Sequence, residues 1–130
     1  MFAKLIEKFW TSTPARIASV PSKLEAAKVP GSQERQDIVA LLHMLKGEAQ
    51  MLRIEHAAPL LTAAHQLLKY WPEGKPLSDE AKEMLRKGFA DLDALCHGKG
   101  RAPGVESTIR ALEDAAEKLL LSTDSSSSAH

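Results

Sequence analysis

His43, Lys46 and Gly47 stand at i, i+3 and i+4 in the run His43-Met44-Leu45-Lys46-Gly47. An imidazole can act as a general base, a metal ligand or a nucleophile. A lysine one helical turn along is placed to neutralise part of a dianionic group carried on that ring. Glycine inside a helix costs roughly 1 kcal/mol relative to alanine, so its presence at i+4 asks for a reason. One reason is clearance. With no side chain above His43 and only Ala40 below it, a second protein carrying a phosphoryl group has room to reach the ring in line.

The element that must position these residues is an amphipathic helix. Ile38, Leu41, Leu42, Leu45, Ala49 and Leu52 form an apolar stripe at i, i+3, i+4 and i+7 spacing. At roughly 100° per residue, His43 lies about 160° from Leu45, nearly opposite the centre of that stripe. Its own face carries Gln36, Val39, Ala40, Lys46, Gly47 and Gln50. An ordinary surface histidine is the default reading of such a ring; Lys46, Gly47 and the placement opposite the core argue against it. Met44 and Met51 flank this face. Semi-buried packing is their plainer reading, although methionine also adapts to varied partner surfaces.

The remaining candidates read as structural. A zinc site built from His43, His56 and His65 would lack thiolates and close ligand spacing, so no metal is expected on this chain. His56 falls at a helix boundary. His97 precedes Gly98 near a helix C-terminus, where its charge favours the dipole. Cys96 lies on an apolar stripe and reads as an inert core thiol. As the single cysteine, it leaves no internal disulfide, which fits the cytoplasm.

The bulk composition bounds the class. A chain of 130 residues is long enough for one core and too short for two. Its 44% hydrophobic content argues against a disordered chain, and its 26% charged content against a membrane protein. Lys4, Glu7 and Lys8 interrupt the apolar start, so it lacks the continuous apolar region of a secretion signal. The 17 basic and 17 acidic residues cancel, so no net field favours nucleic acid or an anionic membrane.

Every periodic segment reads as helix. The first, about Phe2 to Trp10, puts Phe2, Leu5, Ile6 and Phe9 on one side. Thr13 then reads as an N-cap with Pro14 at the first helical position. The next helix carries Ile17, Val20, Leu24 and Ala27, and Pro21 is expected to kink or split it. Val29-Pro30-Gly31-Ser32 reads as a turn, with Ser32 capping a helix from about Gln33 to Ile54. Glu55 to Pro59 connects to a helix with Leu60, Leu61, Ala64, Leu67, Leu68 and Trp71 on its buried side. The loop Pro72 to Pro76 is short enough to make the following helix an antiparallel neighbour. Ser78 or Asp79 caps that helix, whose stripe is Ala81, Met84, Leu85, Leu92, Leu95 and Cys96. After the turn Gly98 to Gly104, a last helix places Val105, Ile109, Leu112, Ala116, Leu119 and Leu120 inward. The fold class expected is all-α: an antiparallel four-helix bundle with an additional N-terminal helix, over residues 1–121. Residues 122–130, with four consecutive serines, read as a disordered tail or linker.

On these residues the chain resembles a known family. His43-x-Leu45-Lys46-Gly47-x-Ala49 followed by Leu52, on the second long helix of a helical bundle, looks like the histidine-containing phosphotransfer (HPt) domain. The long later helices and the Phe-containing start look closest to the N-terminal phosphotransfer domain of chemotaxis-type histidine kinases. The resemblance implies that His43 takes a phosphoryl group on Nε2 from a kinase or a receiver aspartyl phosphate and passes it to another receiver aspartate. It implies Lys46 as electrostatic support, Gly47 as clearance, and His65, Thr62 and Gln50 around the ring. Gln36, Val39, Ala40, Met44 and Met51 would meet the partner.

Three positions depart from the family pattern. Arg53 stands where a glycine usually follows Leu52, and Glu48 where a small residue is frequent. His65 occupies the position of a glutamate that orients the histidine ring. A neutral His65 could accept a hydrogen bond from that ring, whereas a protonated one would repel it. The change weighs against direct phosphorylation by a chemotaxis-type kinase more than against exchange with a receiver.

The expectation is therefore a monomeric, cytoplasmic phosphorelay carrier of a two-component pathway. Its partners are a response-regulator receiver domain and a histidine kinase catalytic domain, with neither nucleic acid nor membrane. No cofactor is bound by the chain itself; Mg2+ comes with the partner. Without a glycine-rich nucleotide loop it is not a kinase on its own. The alternative is a helical adaptor of the same fold that binds a kinase or receiver without being phosphorylated. A bundle used only for dimerisation would need a second exposed apolar stripe, which the sequence does not show.

Overall fold

A computed structural model describes residues 2–27, 32–72 and 74–128, with Phe2 and residues 122–128 described by backbone alone. Six helices account for it: α1 (Phe2–Ile17), α2 (Val20–Ala26), α3 (Gln33–Met51), α4 (Ala57–Tyr70), α5 (Asp79–His97) and α6 (Val105–Ser128). Among the described residues there is no strand, and no helix is long and apolar enough to cross a membrane.

α4 is the central element, packing against α3, α5 and α6, while α5 also meets α1, α2 and α6. The apolar stripes of these helices make one core. Leu42 and Leu45 of α3, Leu60, Leu61 and Leu67 of α4, Leu85, Leu92 and Leu95 of α5 and Leu112 of α6 are fully buried. Each such side chain contributes about 2 kcal/mol by leaving water. Gly88 lets α5 come close to α6, because a Cβ there would stand 3.3 Å from Leu112 Cδ1. Its cost as a mid-helix glycine is offset by that approach.

Two caps form as the sequence predicts. The Ser32 hydroxyl accepts from the Arg35 amide, and the Ser78 hydroxyl from the Ala81 amide, satisfying donors that a helix start leaves orphaned. α3 ends earlier than expected, at Met51. Leu52 is its C-cap and Arg53 takes the left-handed conformation at φ 55. The Arg53 amide then reaches the Gln50 carbonyl and the Ile54 amide the Ala49 carbonyl, which is the paired closure of a Schellman motif.

The first helix differs from expectation. α1 runs unbroken through Pro14 to Ile17, so Thr13 is not a cap. Pro14 removes one helix amide and crowds the carbonyl four residues back. Burial of Phe9, Trp10, Thr13 and Ile17 along one side of α1 holds the turn in place against that penalty. The break comes at Ala18–Ser19, and Pro21 sits in the first turn of α2, where its missing amide costs nothing. Leu5 is exposed, so it does not join Phe9 in the core.

α4 begins at Ala57 with Pro59 in its first turn, shortening the expected connection. The end of α6 departs further. Leu120 is exposed, whereas Ala116 is buried and Leu119 packs against the core. Helical backbone continues to Ser128, into the stretch where composition predicts no fixed structure. A helix already nucleated gains one hydrogen bond for each residue added. Of the turn read at residues 29–32, only Ser32 lies among the described residues.

Candidate functional site

His43 lies in the middle of α3 with its ring exposed, while Leu42 and Leu45 beside it are wholly buried. The outward placement inferred from helical period holds. Among the described residues neither ring nitrogen of His43 is engaged in a hydrogen bond. The neighbour of the ring is His65 of α4, with centroids 5.5 Å apart and planes tilted by 42°. A Cβ built on Gly47 would meet nothing within 4 Å beyond its own helix backbone.

Lys46 and His65 form the polar contact of the site. The Lys46 ammonium lies 3.4 Å from His65 Nδ1, a long hydrogen bond in which only the ammonium can donate. His65 is 7% exposed. Burial first, and then the neighbouring Lys46, His43 and Lys69, hold its pKa below the ordinary 6.5, so the ring is neutral at pH 7. The sequence suggested that His65 accepts from the His43 ring. The structure gives its Nδ1 to Lys46 instead.

Gln50 and Thr62, expected around His43, pair with each other. Gln50 Nε2 donates to Thr62 Oγ1 at 3.2 Å, and the Thr62 hydroxyl donates to the Ala58 carbonyl at 2.7 Å. Gln50 is two turns, about 10 Å, along the helix from His43, which explains why the pair stitches α3 to α4 without touching the ring. Of the expected partner-facing residues, Gln36, Val39 and Ala40 line a groove of about 1040 Å³ that also holds His43, Lys46 and His65. Met44 and Met51, 50% and 62% exposed, lie outside that lining.

The groove includes residues that the sequence did not single out. Arg35, Lys69 and Gly74 complete its wall, together with Leu68 and Trp71, which the sequence placed on the buried side of α4. Arg35 is buried, and its guanidinium donates to the carbonyls of Leu68, Trp71 and Lys75, fastening the start of α3 to the last turn of α4. Lys69 was findable, since it falls one turn beyond His65 on α4 and therefore shares its face.

Glu48 has a structural reason to differ from a small residue. It receives both guanidinium nitrogens of Arg16, at 2.6 and 3.1 Å, tying α1 to α3. His56 is the N-cap residue of α4 and lies 3.6 Å from Glu106. His97 Nδ1 lies 2.9 Å from the Asp93 carbonyl at the end of α5. Cys96 is buried, and burial, helped by Asp93, pushes its thiol up to about 11, so it is a poor nucleophile at neutral pH. Among the described residues no three His, Cys, Asp or Glu side chains converge as metal ligands.

The chain is 29% identical over 115 residues to a gliding motility regulatory protein of Myxococcus xanthus. The matched stretch covers 85% of this chain and 15% of that much longer protein. No protein-family model matches the chain, and no solved structure matches it significantly.

Proposed function

We propose that this chain is a phosphocarrier of a two-component signalling pathway, with His43 as its phosphoryl acceptor. The observation that carries the reading is the exposed His43 ring on α3, unobstructed at Gly47 and attended by Lys46, above a fully buried Leu42–Leu45 floor. In the forward step a ring nitrogen of neutral His43 attacks the phosphorus of a receiver's aspartyl phosphate. The new N–P bond forms as the acyl phosphate P–O bond breaks, and the carboxylate leaves with the electron pair. The imidazole keeps its proton on the other nitrogen. Lys46 then offsets charge on the phosphoimidazole.

In this reading α3, α4, α5 and α6 are the four helices of an antiparallel bundle, with α1 and α2 packed beside it, and the partners are a receiver domain and a histidine kinase. Similarity to part of a motility regulatory protein supports a signalling role. A second reading, a helical adaptor that binds such partners without being phosphorylated, is favoured by one observation: a histidine, His65, is the ring's neighbour in place of a carboxylate.

Incubation with a radiolabelled, phosphorylated receiver separates the two. A carrier acquires label that is lost in acid, survives alkali and is absent from His43→Gln. Failure to acquire label, or label that persists in His43→Gln, would leave the adaptor.

A further inference from the structure

We propose that His65 is a positioning residue for Lys46: its neutral ring, accepting at Nδ1, holds the ammonium beside His43. The assignment deepens the phosphocarrier reading and rests on it for the role of Lys46, but the contact itself does not depend on that reading. A lysine on a solvent-facing helix surface ordinarily samples many rotamers around a flexible four-carbon stem. Here Lys46 is half-buried, and its nitrogen ends 3.4 Å from an acceptor on the facing helix.

The donor set fixes the tautomer. An ammonium has three N–H donors and no acceptor, so Nδ1 must be bare and the proton of the neutral ring must sit on Nε2. Protonation would place N–H on both nitrogens and a second cation against the first, and the contact would be lost. His65 contacts Lys46 and the His43 ring from α3 and shares the groove wall with Lys69 of its own helix α4, and these three are the charged or titratable groups that act on it. None of them is a carboxylate that would stabilise the protonated form. Lys46 is therefore held in place at neutral pH and released on acidification. A glutamate at this position would remain charged across the same range, so the histidine makes the site sensitive to acid.

Two measurements on the full chain test this. Long-range proton–nitrogen correlation spectra at neutral pH should show His65 with Nδ1 unprotonated and Nε2 protonated. The opposite tautomer, or a charged ring, overturns the proposal whatever His43 does.

The second measurement uses phosphoramidate as a small phosphoryl donor, so that no protein partner is needed. Its P–N bond breaks, ammonia leaves, and the new N–P bond forms on His43. Lys46→Ala and His65→Leu should each slow labelling roughly tenfold, the size of one charge-assisted hydrogen bond. The double variant should be no slower than either single one. His65→Asn, whose amide oxygen stands near the place of Nδ1, should recover most of the rate and lose the acid-side decline that His65 contributes. Independent losses that multiply to roughly a hundredfold in the double variant would show that the two residues do not act as a unit. If the parent chain takes no label, the phosphocarrier reading falls, and the nitrogen spectra alone decide the contact.

Discussion

Gly47 stands one turn beyond His43 on the exposed face of α3, and a Cβ built there would meet nothing within 4 Å. The glycine is therefore not required by packing. Gly47→Ala should raise stability by about 1 kcal/mol through helix propensity alone, seen as a higher midpoint in urea. Gly47→Leu should fold yet slow phosphoryl transfer from a receiver, while labelling by phosphoramidate, which needs no docking protein, stays near the parent rate. Unchanged transfer from the receiver would show that access to His43 is not what the glycine provides.

Arg53 closes α3 in a conformation that suits glycine, with φ at 55. An L-residue in the left-handed region is strained by roughly 1–2 kcal/mol, and the greater freedom of glycine in the unfolded chain returns part of that. Arg53→Gly should therefore stabilise the fold by about 1 kcal/mol. Arg53→Val should destabilise it, since a branched side chain tolerates this region least. Neither change should alter labelling of His43, ten residues away. Denaturation midpoints of the three chains give the comparison.

His65 makes stability depend on pH in a definite direction. Its folded pKa is held below the ordinary 6.5, chiefly by burial and then by nearby cations. In the window between the two values the unfolded chain binds the proton that the folded chain refuses, so stability falls as pH drops through it. Above the unfolded value the contribution is complete. Melting temperature should therefore decline on acidification from pH 7, and His65→Leu should remove this component of the slope. A His65→Leu chain with the parent's full slope would assign the effect to another group.

Helical period carried the outward placement of His43, because the angle between His43 and Leu45 depends only on the helix containing both. The caps at Ser32 and Ser78 were legible for the same reason: each lies three residues from the amide it serves. The contacts of His65, Arg35 and Lys82 were not. His65 and Arg35 find their partners on other elements, Lys82 is buried between Glu25 of α2 and Asp79 of its own helix, and a one-helix pattern assigns a charged residue to solvent. Pro14 misled in the opposite way. Its local signal for a break is real, and tertiary burial of Thr13 and Ile17 overrides it. Gly88 escaped notice because only the presence of Leu112 across the α5–α6 contact gives a missing side chain its purpose.

The three carbonyls gripped by Arg35 belong to the last turn of α4 and the loop beyond it, while its backbone belongs to the first turn of α3. One guanidinium thus welds the far wall of the groove to the rod that bears His43. A surface already stilled in this way surrenders little freedom when another molecule settles on it. Modest contact area can then suffice for brief, repeated encounters, the kind in which a visitor arrives, exchanges its cargo and departs.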